Sequence, residues 1–110
     1  SAKIEHSVIG IRARVDEDTT IQNSYVMGSD FYQNLDEISH NNENNIINIG
    51  IGKRCFINNT IVDKNCRIGN DVYLNGGHHL EDANTPFYTI KEGIIVVKKG
   101  ATLPDGFRLE

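Results

Sequence analysis

The sequence predicts an all-β fold, a parallel β-helix of hexapeptide rungs with two protruding loops, and three observations carry that reading. Aliphatic side chains recur six apart in three separate blocks: Ile9, Val15, Ile21 and Met27; Ile51 and Ile57, then after a one-residue slip Val62, Ile68 and Leu74; and Val97, Leu103 and Leu109. Small or turn-forming residues keep step with them, as Gly10, Asp16, Gly28, Gly52 and Gly69 directly after an aliphatic, and as Ala13, Thr19, Cys55, Cys66, Val72 and Ala101 at the fourth position after one. An amphipathic helix would space its apolar residues three and four apart, so six fits short flat strands joined by bends. Three such rungs make a coil, and stacked coils bury one face against each other. An antiparallel sandwich is the alternative, but its strands recur at about 8–12 residues.

The first block, residues 9–27, supplies rungs with one inward aliphatic each. Residues 29–48 then interrupt the period with a short helix-capable run, Gln33 to His40, and an Asn-rich stretch too polar to pack. The second block, 51–74, resumes the rungs. Residues 75–90 form a second loop, opened by the turn signal Asn75-Gly76-Gly77 and carrying Pro86. The third block, 97–109, closes the chain. Loops of such length in a compact domain are often functional or interfacial.

Length and composition bound the rest. The 110 residues form one domain, 1–110, with 38% apolar residues and no Trp, so the core is thin and a ligand would sit on the surface. A net charge of −4 argues against nucleic acid or an anionic membrane surface as a partner. Neither a signal peptide nor a long apolar run stands in it. Two cysteines suit a reducing, cytosol-like compartment. The opening at Ser1 without Met, and the abrupt stop at Leu109-Glu110, read as a piece of a longer protein.

Histidine is the base on acyltransferases of this architecture, and the candidates are His6, His40, His78 and His79. A base needs an orienting group, which sequence does not supply, so His78 and His79 read first as solvated loop residues. No two histidines share the register, and the adjacent pair lacks metal-ligand spacing, so no metal site is expected. Cys55 and Cys66 fall at inward positions and read as core rather than nucleophiles. Lys53, Lys64 and Lys99 share one phase, two residues after Ile51, Val62 and Val97, which turns them outward. Cations repeated at one phase can line up as an anion site, above all for phosphate, although lysines so placed also serve plain solubility.

The segments HSVIGIRARVDEDTTIQNSYVMGSDFY, NIGIGKRCFINNTIVDKNCRIGNDVYL and IKEGIIVVKKGATLPDG together resemble the C-terminal domain of glucose-1-phosphate adenylyltransferase (ADP-glucose pyrophosphorylase), nearest the cyanobacterial and plant type. The most specific element is IVDKNCRIG, similar to the family's I-I-D-K-N-A-R-I-G, supported by Gly28-Ser29-Asp30-Phe31-Tyr32, which is similar to G-A-D-Y-Y. The resemblance implies a left-handed hand for the β-helix, which the general preference for right-handed crossovers would not suggest. It implies a parent enzyme making ADP-glucose and pyrophosphate from ATP and glucose 1-phosphate with Mg²⁺, for glycogen or starch synthesis. That chemistry belongs to an N-terminal nucleotidyltransferase domain, so the present domain is expected to be inactive alone, with no catalytic residue and no cofactor of its own. The resemblance further implies a homo- or hetero-tetramer, a phosphorylated small-molecule effector, and residence in a bacterial cytoplasm or a plastid stroma. Two effector-binding lysines of the family match Lys64 and Lys99, which leaves Lys53 as surface. The sequence departs from the family in the shortened stretch at Pro86-Phe87, in Lys98, which replaces an aliphatic, and in Glu92, which would bring a negative charge near the anion site. The rival function is a free-standing hexapeptide-repeat acyltransferase using His78 or His79, and a β-helix that only mediates assembly is a third.

Overall fold

The computed structural model describes residues 2–30, 33, 35–44 and 46–110, and in it the chain winds around three parallel faces. The first face stacks Lys3–Glu5, Thr20–Gln22, Phe56–Asn58, Tyr73–Asn75 and Arg108–Leu109, in that order. Val8–Ile9, Tyr25–Val26, Thr60–Val62 and Ile94–Val97 build the second. Gly50–Ile51, Arg67–Ile68 and Thr102–Leu103 build the third, and Val15 bridges onto Ile51 to extend it.

Every coil places one aliphatic of each face on the axis. Ile21, Ile57 and Leu74 from the first face, Val26, Val62 and Val97 from the second, and Ile51, Ile68 and Leu103 from the third are all buried. Cys55, Cys66, Val72 and Ala101 fill the corners between them. Stacking is what buries these side chains, because no single coil encloses its own.

Three rungs of six would give eighteen residues, yet Phe56 pairs with Tyr73 and Gly50 with Arg67, seventeen positions on. The corner joining the first face to the second is one residue short in each coil. His6, Asn23 and Asn59 turn it with φ of 47°, 49° and 50°. Asn is among the residues that tolerate this left-handed conformation best. The short corner corrects the expected register of the first block, since Val26 and not Met27 points inward, Met27 being only half-buried. The slip before Val62 is the same corner one coil later.

The two interruptions leave and rejoin the coil at fixed points. Residues 29–48 contain a helix at Leu35–Glu43, somewhat beyond the expected run, between the second face and the third. Residues 75–90 are more ordered than a loop. Tyr88–Lys91 pairs antiparallel with Ile94–Val97, and Ala83–Asn84 pairs with Tyr88–Lys91, so this excursion folds back to widen the second face. Ile90 is buried there among the core aliphatics.

Buried polar groups close the remaining bonds. Thr19 Oγ1 donates to the Gly52 carbonyl at 2.7 Å and accepts the Cys55 amide at 3.1 Å. Ser24 Oγ donates to the Gln22 carbonyl at 2.8 Å and accepts the Thr60 amide at 3.2 Å. Among the described residues no buried side-chain nitrogen or oxygen is left without a partner.

Candidate functional site

The corner between the second and third faces carries Arg12, Asn65 and Gly100 in the left-handed conformation, with φ of 60°, 62° and 73°. Lys64 and Lys99 each precede the left-handed residue of their coil, so they stand one above the other on this corner. The Gly100 amide donates to the Lys64 carbonyl at 2.9 Å and ties the two turns together. Both lysines are exposed. Neighbouring strands lie about 4.8 Å apart, so the two ammonium groups can reach one anion.

Lys53 belongs elsewhere. Its turn precedes Arg54, which stacks with Asp18 and Asp71 at the corner between the third face and the first. There Lys53 pairs with Glu17 at 3.4 Å and lines a polar cleft of about 420 Å³ shared with Asn70 and Asp105. The three lysines therefore share a phase along the chain but not a wall. Two are brought together and one is not.

The lysine corner holds further groups that the sequence reading did not single out. Asn65 Oδ1 accepts the Asp30 amide at 3.0 Å and the Ser29 hydroxyl at 3.1 Å, while its Nδ2 donates to Asp30 Oδ2 at 3.4 Å. The Asp30 carboxylate so held reaches Lys64 Nζ at 3.4 Å. It is kept below the ordinary carboxylate range, first by the Asn65 amide and then by the Lys64 charge, with Lys99 acting in the same direction. Arg12 Nε donates to the Ser29 carbonyl at 2.8 Å and braces the same turn. A signal was present in the sequence, because Asn65 follows Lys64 at a corner where Asn is favoured and Asp30 lies one residue beyond the equivalent point of an earlier coil. Phe31 and Tyr32, which complete the G-A-D-Y-Y-like segment, lie outside the described residues.

The two charged departures from the family, Lys98 and Glu92, are directed away from the lysine pair. Lys98 Nζ donates to Asn84 Oδ1 at 2.8 Å, which draws it toward the widened second face. Glu92 sits in the turn joining Lys91 to Ile94, whereas Lys99 follows Val97 at the opposite end of that strand. Glu92 is thus not beside the lysine pair, contrary to expectation, because the hairpin carries it to the short corner.

His78 and His79 are exposed in the turn after Gly77, and among the described residues no carboxylate pairs with either. Nothing in their surroundings favours the acyltransferase reading. Cys55 and Cys66 are buried and free, and burial pushes the Cys66 thiol up to about 11. Such a thiol is a poor nucleophile at neutral pH. Among the described residues no His, Cys, Asp and Glu side chains cluster as a metal site, and no helix is long and apolar enough to cross a membrane.

A three-sided parallel coil with one long excursion inside the second coil, between its second and third faces, and another inside the fourth, between its first and second, is a specific arrangement. A family model described as the GLGC left-handed parallel beta-helix domain matches residues 1–107.

Proposed function

This chain belongs to the family of left-handed parallel β-helix domains of glucose-1-phosphate adenylyltransferase, and from that membership we propose that it is the regulatory and assembly domain of an enzyme making ADP-glucose and pyrophosphate from ATP and glucose 1-phosphate. The observation that supports a regulatory role is the stacking of Lys64 and Lys99 on one corner, outward and on adjacent coils. Two ammonium groups at that spacing suit the separate oxygens of one phosphate, and each hydrogen bond is charge-assisted. The ligand is a phosphorylated small molecule or inorganic phosphate, and binding is completed by basic residues outside this domain.

In this proposal ATP and Mg²⁺ belong to the N-terminal catalytic domain of the same protein, and tetramer partners are homologous or identical subunits. Control of the commitment to glycogen or starch by a metabolite bound away from the substrates suits a site on a rigid solenoid remote from the chemistry. The domain alone carries out no catalysis, and the enzyme works in a bacterial cytoplasm or a plastid stroma.

The test is an effector titration on the full-length enzyme. Lys64→Ala and Lys99→Ala should each raise the concentration needed for half-maximal response while leaving turnover without effector much less changed. Unaltered effector response in both variants would remove the lysine pair from the site. Pyrophosphate release by the isolated domain would overturn its assignment as inactive.

A further inference from the structure

We propose that Asp30 is a built-in competitor for the anion site, a carboxylate of the domain itself lying where a phosphate oxygen of the effector would bind. This inference rests on the assignment of Lys64 and Lys99 as that site. Asp30 does not reach Lys64 by chance orientation of a long side chain. Its backbone amide is fixed by Asn65 Oδ1 at 3.0 Å and its carboxylate by Asn65 Nδ2 at 3.4 Å, so one amide side chain grips both ends of the residue. Asn65 is itself fixed by its left-handed turn, with φ of 62°, directly after Lys64.

The carboxylate then pairs with Lys64 at 3.4 Å and lies within the field of Lys99. Arg12 braces the Ser29 turn at the same corner and Asp63 Oδ1 accepts the Lys64 amide, but the carboxylate that meets a lysine ammonium group there is that of Asp30. A phosphate approaching the pair meets a carboxylate already bound to one of the ammonium groups and must displace or share it. Both partners of the ion pair are about half exposed, at 51% for Lys64 and 44% for Asp30. An ion pair that open is weakly held. Displacement is consequently easy, and the competitor tunes affinity rather than closing the site. Its effect is selective, because a ligand with two or more negative charges recovers more from two lysines than a monoanion does, while both must displace the same carboxylate.

The probe is inorganic phosphate, titrated by calorimetry into the full-length enzyme and its variants. Asp30→Asn keeps the shape of the side chain and removes the charge, and it should tighten phosphate binding by roughly 1.5- to fivefold, an exposed pair's worth of attraction returned to the ligand. Asp30→Ser, which also loses the reach, should tighten it similarly. Lys64→Ala serves as the reference for the site. If Lys64→Ala weakens binding while both Asp30 variants leave it unchanged or weaken it, the site stands and the competitor is refuted. If Lys64→Ala has no effect, the site itself is misplaced and the role of Asp30 falls with it. Unchanged melting temperatures across the set confirm that the comparison is between folded proteins.

Discussion

Lys64 and Lys99 occupy the same step of adjacent coils, joined through the Gly100 amide donating to the Lys64 carbonyl at 2.9 Å. Lys53, at the same phase along the chain, is on another corner of the triangle, engaged with Glu17 at 3.4 Å. Removing any one of the three subtracts the same unit of charge, but only two removals alter the field at one point.

In the full-length enzyme Lys53→Ala should therefore move the half-maximal effector concentration by less than about twofold, where Lys64→Ala moves it by about tenfold, the worth of one charge-assisted hydrogen bond. Lys64→Arg and Lys99→Arg should keep more of the response than Ala, though not all, since a guanidinium places its donors differently. An effect of Lys53→Ala as large as that of Lys64→Ala would reduce the site to general positive charge.

The axial aliphatics should dominate stability. Ile21→Asp or Ile68→Asp sets an unpaired carboxylate on an axis where the native side chain is at most 1% exposed, and a buried unpaired charge costs several kcal/mol. Asn44→Asp, on the exposed end of the excursion, should be nearly silent. Thermal melts followed by circular dichroism distinguish the two classes, and equal behaviour would refute the stacking register.

Thr19 ties its own coil to the Gly52–Cys55 turn of the next through one hydroxyl. Replacing it with Val keeps the volume but leaves the Gly52 carbonyl and the Cys55 amide without that partner. A loss of about 1–3 kcal/mol is expected for a buried group so orphaned. Urea midpoints at unchanged slope would measure it, and a neutral Val would mean that water replaces the hydroxyl.

Cys66 gives a pH dependence of known sign. Its thiol is pushed up from 9.0 to about 11 by burial, so between those values the unfolded chain releases a proton that the folded one retains. The stabilising contribution is fully present below about pH 9 and is lost as pH rises toward 11. Melting temperatures of the native protein should fall more steeply over that window than those of Cys66→Ala. Ellman's reagent at pH 8 should modify Cys66 only as fast as the protein opens.

Much of the architecture was legible because the coil writes one aliphatic per rung into the sequence. Ile21, Ile51, Ile57, Val62, Ile68, Leu74, Val97 and Leu103 were all readable as axial, and all are buried. Met27 was misassigned because a left-handed Asn shortens one corner, and the period changes from six to five wherever such a corner falls. The same miscount hid the placement of the lysines, since a shared phase says nothing about which corner a residue occupies until the length of the whole coil is known. The antiparallel widening at Tyr88–Lys91 was hidden for another reason. Its pairing with Ile94–Val97 obeys the local rule of hairpins and leaves no trace in a period set by parallel stacking. The grip of Asn65 on Asp30 joins residues 35 positions apart, and only the coil's geometry makes them neighbours.

The helical excursion departs after Ser29 and returns at Gly50, while the coils on either side stay in direct register, with Ile21 opposite Ile57 and Val26 opposite Val62. The rungs are thus indifferent to how much chain is spent between those two points. Doubling the length of a flexible loop adds only about 0.6 kcal/mol of closure cost, so insertions, deletions or whole grafted modules can be accommodated there without refolding the solenoid. In evolutionary terms such a port separates two kinds of change. The coil can be held fixed by its axial aliphatics while the excursion diversifies to suit different neighbours in an assembly.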